Sequence, residues 1–142
     1  MEQMVNQCRY EGYLKAYEQF GKKPEERFIY RSLNSKVMIG KAVEELLKNG
    51  AKYMLCQDDF ICAEVLHLLA EKEIRVPEDV KVASCHYSRI LDNYPVTVTS
   101  LKFDIVQLGR TACRILLDII DGKEVPERTL LDYEVILKES TK

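Results

Sequence analysis

Tyr53-Met54-Leu55-Cys56-Gln57-Asp58-Asp59 carries the pattern on which the fold turns. Its first four residues form an apolar run too short for a helix and read as a fully buried strand. Asp58 or Asp59 can then cap a helix that carries Ile61, Val65, Leu66, Leu68 and Leu69. Toward the C-terminus, Arg75-Val76-Pro77-Glu78-Asp79 turns the chain into a second strand expected over 80–84. Toward the N-terminus, Ser35 can cap a helix whose apolar stripe is Ile39, Ala42, Val43, Leu46 and Leu47, and Asn49-Gly50 ends it. A first helix is expected over 4–20, closed by Gly21, and a short strand over 27–30.

Beyond Pro95 comes a β-rich run, Val96-Thr97-Val98-Thr99. Asp104, with Gln107 three residues on, resembles a capping box. It opens a strongly periodic helix with Ile105, Leu108, Ala112, Ile115, Leu116 and Ile119, which Asp121-Gly122 stops. A last strand is expected over 130–137. Short apolar strands alternating with helices imply an α/β fold, a mostly parallel sheet in a three-layer α/β/α arrangement. Ligands of such sheets bind beyond the carboxyl ends of the strands. That rule selects the loops Gln57-Asp58-Asp59 and Cys85-His86-Tyr87 and the turn Ser32-Leu33-Asn34.

A chain of 142 residues suits one domain or part of a larger one. With 46% hydrophobic and 31% charged residues it is globular, and a net charge of −2 excludes a strongly basic nucleic-acid module. No apolar run approaches the ~18 residues of a membrane span, and the N-terminus lacks a secretory apolar core. A soluble, cytoplasmic protein without membrane partners is expected. The five cysteines form no C-x-x-C pair and are expected to be mostly small buried hydrophobes.

Cys62 and His67 are five residues apart on one helix and so face different ways, unlike a zinc pair at i, i+4. Cys56, Cys85 and His86 are expected to converge at neighbouring strand ends, but no third group marks a nucleophilic pair or an oxyanion hole. Neither metal, cofactor nor catalysis is expected.

Six motifs, in order, carry a resemblance. They are R-x-x-G-Y at Arg9, Gly12 and Tyr13; L-C-Q-D-D-F over 55–60; I-R-V-P-E-D-V over 74–80; T-V-T-S-L over 97–101; Q-L-G-R-T-A over 107–112; and L-K-E-S-T over 137–141. The set resembles the C-terminal half of the effector-binding domain of lactose-repressor (LacI/GalR) family transcription regulators, which is related to periplasmic sugar-binding proteins. The resemblance implies a periplasmic binding protein-like type I fold whose two lobes hold an effector in the cleft between them. Residues 1–100 then form the second lobe, 101–126 the segment that crosses back to the first, and 127–142 a closing strand and tail. The family's helix-turn-helix, hinge and most of its first lobe have no counterpart, so a shortened chain or a partial gene product is expected, with Met1 a true start or an added residue.

The resemblance also assigns roles. Arg9 matches the arginine that reaches into the cleft, where a guanidinium fork suits vicinal hydroxyls or a carboxylate. Asp58 lies where the family places a polar effector contact; we expect it to face the ligand and Asp59 to cap the helix. Asn34, in the selected turn, completes the expected set. His86 stands where family members usually carry an aspartate in a G-x-D pattern. Two readings remain: a changed effector, with an anionic group, or a site that binds nothing. Matching segments of the family form a dimer contact, implying exposed Leu66, His67, Ile90, Leu91 and Tyr94 and a homodimer.

The expected function is sensing of a small polar effector, a sugar or derivative, with DNA contacted only through a domain missing here. The alternative is a fragment of a periplasmic-type solute-binding protein. A flavodoxin-like enzyme or response-regulator module needs a phosphate loop, or an acidic cluster with a lysine, and neither is present.

Overall fold

Three of the four helices begin at a polar side chain that takes up an otherwise unpaired amide. The Ser35 hydroxyl accepts from Met38 N at 3.3 Å, Asp58 Oδ1 from Ile61 N at 2.8 Å, and Asp104 Oδ1 from Gln107 N at 2.9 Å. The computed structural model describes residues 4–142, so Met1 lies outside the described residues. The helices are α1 (Met4–Gln19), α2 (Lys36–Lys48), α3 (Asp59–Glu71) and α4 (Ile105–Ile120); the strands are β1 (Tyr53–Cys56), β2 (Lys81–Ser84), β3 (Thr99–Phe103) and β4 (Tyr133–Ile136). Gly21, Gly50 and Gly122 take positive φ just past the ends of α1, α2 and α4, where a side chain is strained.

The sheet order is β1-β2-β3-β4, with β1, β2 and β3 parallel and β4 antiparallel to β3. This is the mostly parallel α/β sheet expected from the sequence. The core joins Ile39 and Val43 of α2 and Met54 and Cys56 of β1 to Ile61, Cys62, Val65, Leu66 and Leu69 of α3, with Val82 of β2 between them. β1 is buried on one face only: Met54 and Cys56 point inward, while Tyr53 and Leu55 are 75% and 59% exposed. That face borders an open groove of about 570 Å³, walled on its other side by Arg9, Tyr10, Tyr13 and Tyr17 of α1. Helix α1 itself buries no residue.

The C-terminal tail completes the sheet. β2 and β3 pair only at Ala83–Thr99 and Ser84–Ser100. Before that point Ser140, fully buried, bridges them: its hydroxyl donates to the Val82 carbonyl and accepts from Thr99 N, and its amide donates to the Thr97 carbonyl. Glu139 accepts from the amide and hydroxyl of Thr97 at 3.1 and 2.9 Å. The polar E-S-T end of the chain thereby satisfies buried backbone groups that the short ladder leaves unpaired.

Several expectations need correction. No strand forms over 27–30; Glu26–Phe28 is a single 3-10 turn, because the amides of Phe28 and Ile29 are bonded back to the Glu25 and Glu26 carbonyls. The Tyr30 hydroxyl then ties the segment to α2 by donating to Glu45 at 2.6 Å. The β-rich run over 96–99 enters the sheet only at Thr99 and continues to Phe103, and the last strand has four residues. Of the cysteines, Cys56 and Cys62 are buried, Cys85 is half-buried, and Cys8 and Cys113 are exposed. α4 buries no residue and presents Ile105, Leu116, Leu117 and Ile120 to solvent. Among the described residues no helix is long and apolar enough to cross a membrane.

Candidate functional site

The carboxyl ends of β1, β2 and β3 lie side by side, and the loops that leave them carry polar and aromatic groups together. Cys85 N donates to the Cys56 carbonyl at 2.9 Å, which fixes the loop after β2 against the end of β1. The buried Ser84 hydroxyl donates to the His86 carbonyl at 2.7 Å and accepts from His86 N at 3.3 Å, pinning the backbone of that residue.

His86 is therefore held from three sides. Its Nδ1 lies 3.1 Å from Asp59 Oδ1, and its ring lies 5.6 Å from that of Phe103, the last residue of β3. Burial alone raises the Asp59 carboxyl, but hydrogen bonds from Ser88, His86 and its own backbone amide outweigh it and hold the group below its ordinary value.

The two aspartates exchange the capping role expected of them. Asp58, extended at φ −150° and ψ 174°, is the N-cap of α3, and Asp59 is the residue turned toward His86. The reason is local geometry. Only the residue just before the first helical φ/ψ can fold its carboxylate back onto the amide three residues on. Asp58 Oδ2 also accepts from Gln57 Nε2 at 3.3 Å.

Arg9 comes from α1 and lines the groove together with Gln57 and Cys85. Its guanidinium touches Asn6 Oδ1 at 3.4 Å, and among the described residues it forms no ion pair. Burial pushes the Cys85 thiol up, against the opposing pull of Arg9. Asn34 sits in the exposed turn before α2 and is not among the groove residues. The groove thus takes Arg9 but neither Asp58 nor His86, which sit at the ends of β1 and β2, and Asn34 lies apart from both, since the strand over 27–30 that should deliver it is absent.

The expected dimer residues divide. His67 is exposed and lies 3.3 Å from Glu71, Ile90 is exposed, and Tyr94 is half-buried. Leu66 and Leu91 are buried within the chain, at 4% and 2% exposure, so neither offers surface to a partner. Leu91 turns inward because Ser88 caps the 3-10 turn Arg89–Asn93, which rolls one side chain into the core.

Residues 3–141 match the periplasmic binding protein-like domain. The chain belongs to this family. Within it the chain is a LacI/GalR effector-binding domain, as its relatives show. It is 27% identical over 137 residues to the HTH-type transcriptional regulator RegA of Clostridium saccharobutylicum, covering 94% of this chain and 41% of RegA. The structure of the transcription regulator CcpA of Lactococcus lactis superposes with a TM-score of 0.86 at 27% identity, covering 96% of this chain and 51% of CcpA. A complex of the transcriptional regulator CelR with cellobiose superposes with a TM-score of 0.78 at 26% identity, covering 93% of this chain and 41% of CelR. The chain spans about half or less of the length of these relatives.

Two features of these strand ends have little signal in the sequence. Phe103 lies beyond the β-rich run that ends at Thr99, and its one local signal is an aromatic residue just before the Asp104 cap, where a strand must finish. The Asp59–His86 pair joins loops 27 residues apart in sequence, and only the parallel register of β1 with β2 brings them together.

Proposed function

We propose that this chain is the effector-sensing half of a LacI/GalR transcription regulator, and that the wall at the strand ends holds a small polar ligand, a sugar or sugar derivative. The observation that carries this reading is the group Asp59, His86 and Phe103 at the carboxyl ends of parallel strands, next to a groove lined by Arg9, Gln57 and Cys85. Such a wall offers charged and polar hydrogen-bonding groups beside an aromatic ring, a combination that suits a hydroxylated ring. The cellobiose bound to CelR supports the sugar class.

In this reading an effector that bridges both lobes favours one lobe arrangement and so biases the attached DNA-binding heads. DNA contact falls to a domain outside these residues, and the protein works in the cytoplasm as a homodimer, with His67, Ile90 and Tyr94 at the contact. The wall's residues bind and orient; no chemical step is assigned to them. The test is an NMR titration of the chain with a panel of mono- and disaccharides. Shifts confined to Arg9, 57–59, 85–88 and Phe103 are expected, and a panel that leaves those residues unmoved rejects the site.

A further inference from the structure

We infer that the open edge of β1 is a docking site for a second polypeptide, which adds to the sheet as one extended apolar strand with acidic residues at its ends. The inference goes beyond the effector reading and concerns the groove along β1. β1 is the end strand of the sheet and pairs only with β2. The carbonyls of Lys52 and Cys56 accept from the amides of Lys81 in β2 and of Cys85 just after it, both at 2.9 Å. Alternate residues of a strand turn their backbone groups to opposite sides, so the amides and carbonyls of Tyr53 and Leu55 point away from β2. Among the described residues those groups have no hydrogen-bond partner, and both residues line the groove. An unpaired edge of this kind is a template for another strand, and Tyr53-Met54-Leu55-Cys56 carries no charge or proline to keep one off.

The walls of the groove set the chemistry of the occupant. It follows the whole of β1, from Gly50 to Gln57, which suits an extended chain. Helix α2 contributes Ile39, Val43 and Leu46 to its lining, and α1 contributes Tyr10, Tyr13 and Tyr17. An occupant therefore meets apolar or aromatic surface from both helices, and a strand covered on both faces is a continuous apolar run. Main-chain pairing supplies affinity at such an edge, and the side-chain pockets supply specificity. Charge then selects the partner. The charged residues of the lining are Arg9, Arg31 and Lys52, and none is a carboxylate. Arg31 lies over the Tyr10 ring at 3.7 Å, and none of the three enters an ion pair among the described residues. Glutamate or aspartate flanking the apolar run supplies the missing partners, whereas a basic flank is repelled.

The experiment is amide hydrogen exchange of the chain followed by NMR, alone and with the acetylated peptide amide Glu-Ile-Val-Ile-Val-Glu. In the free chain we expect the Tyr53 and Leu55 amides to exchange about tenfold or more faster than those of Met54 and Cys56, which face β2. Saturating peptide should slow Tyr53 and Leu55 by about tenfold and leave Met54 and Cys56 unchanged. The same peptide with lysine at both ends should bind about tenfold more weakly at low salt, and one with a central proline should give no protection. Lys52→Glu should narrow the gap between the acidic and basic peptides. Its backbone spectrum reports whether it folds, and the peptide series on the parent chain decides the matter if it does not. Absence of protection by the acidic peptide at millimolar concentration overturns the inference, as does equal binding of the basic or the proline peptide. Tyr53 and Leu55 amides already protected in the free chain also overturn it. Protection that rises with protein concentration then assigns the edge to a second copy, and constant protection assigns it to the chain's own 28–33 segment.

Discussion

The Ser140 hydroxyl lies 2.6 Å from the Val82 carbonyl and 2.9 Å from the Thr99 amide, so one buried side chain stitches β2, β3 and the C-terminal tail together. Both backbone groups lie where no ladder bond can replace it, because β2 and β3 pair only from Ala83 onward. Removing the hydroxyl leaves a donor and an acceptor buried without partners. Ser140→Ala should cost about 1–3 kcal/mol and lower the urea midpoint at unchanged slope. A midpoint equal to that of the parent chain would mean that the tail does not pack as described.

The neighbouring aspartates of α3 should separate cleanly by substitution. Asp58→Ala removes the N-cap and should cost about 1 kcal/mol, whereas Asp58→Asn or Asp58→Ser retains most of the stability. Asp59→Ala leaves the cap in place and acts on His86, whose imidazole loses its carboxylate partner. The His86 ring signals should then shift in the NMR spectrum, since the ring has lost the partner that orients its Nδ1. If Asp59→Ala proves the more destabilising of the pair, the assignment of the cap to Asp58 fails.

How far the sequence led can be judged at these same residues. Ser35 and Asp104 were readable as caps because each is a cap-forming residue just before a periodic helix, and Ile39, Ala42 and Val43 were readable as core by spacing alone. Asp58 and Asp59 were not separable, since adjacent aspartates satisfy the same pattern and only backbone dihedrals choose between them. Leu91 misled for a related reason: a short 3-10 turn has no periodicity from which to read its inward side. The stretch Arg27-Phe28-Ile29-Tyr30 has strand-like composition, but local amide bonds and the Tyr30–Glu45 contact claim it first. The Asp59–His86 pair depends on tertiary register, which no local pattern encodes.

Stability should fall in acid through identifiable carboxylates. Asp79 accepts from Arg75 Nε and Nη2 at 2.8 and 2.9 Å and from the Arg75 amide at 3.0 Å, and these hold its carboxyl down to about 2. Asp59 is also held below its ordinary value. A depressed carboxylate contributes stability that is fully present above its unfolded pKa of ~3.9 and is lost as pH falls through the folded value. The melting temperature should therefore be flat near neutrality and decline between about pH 4 and about pH 2. Asp79→Asn should make that decline shallower. An equally steep decline in the variant would show that the Arg75–Asp79 clamp contributes nothing measurable.

Helix α4 should drive self-association of this chain. It buries none of its residues, and Leu116, Leu117, Ile119 and Ile120 stand 53–71% exposed along its last turns, with Ile105 and Val106 exposed at its start. Apolar area left in water is unfavourable by ~25 cal/mol per Å², and a stable pair of chains needs roughly 1,200–2,000 Å² in its interface. β4 adds to the surface through Tyr133 and Val135, 70% and 53% exposed on the strand that pairs with β3. A net charge of only −2 provides little repulsion to oppose association. Light scattering should show the average mass rising with concentration toward a dimer or beyond. Replacing Leu117 and Ile120 together by lysine should weaken that rise while leaving the core cluster of α2, α3, β1 and β2 untouched, as no α4 residue belongs to that cluster. A chain that stays monomeric at millimolar concentration, or a double variant that associates as strongly as the parent, would remove α4 as the cause.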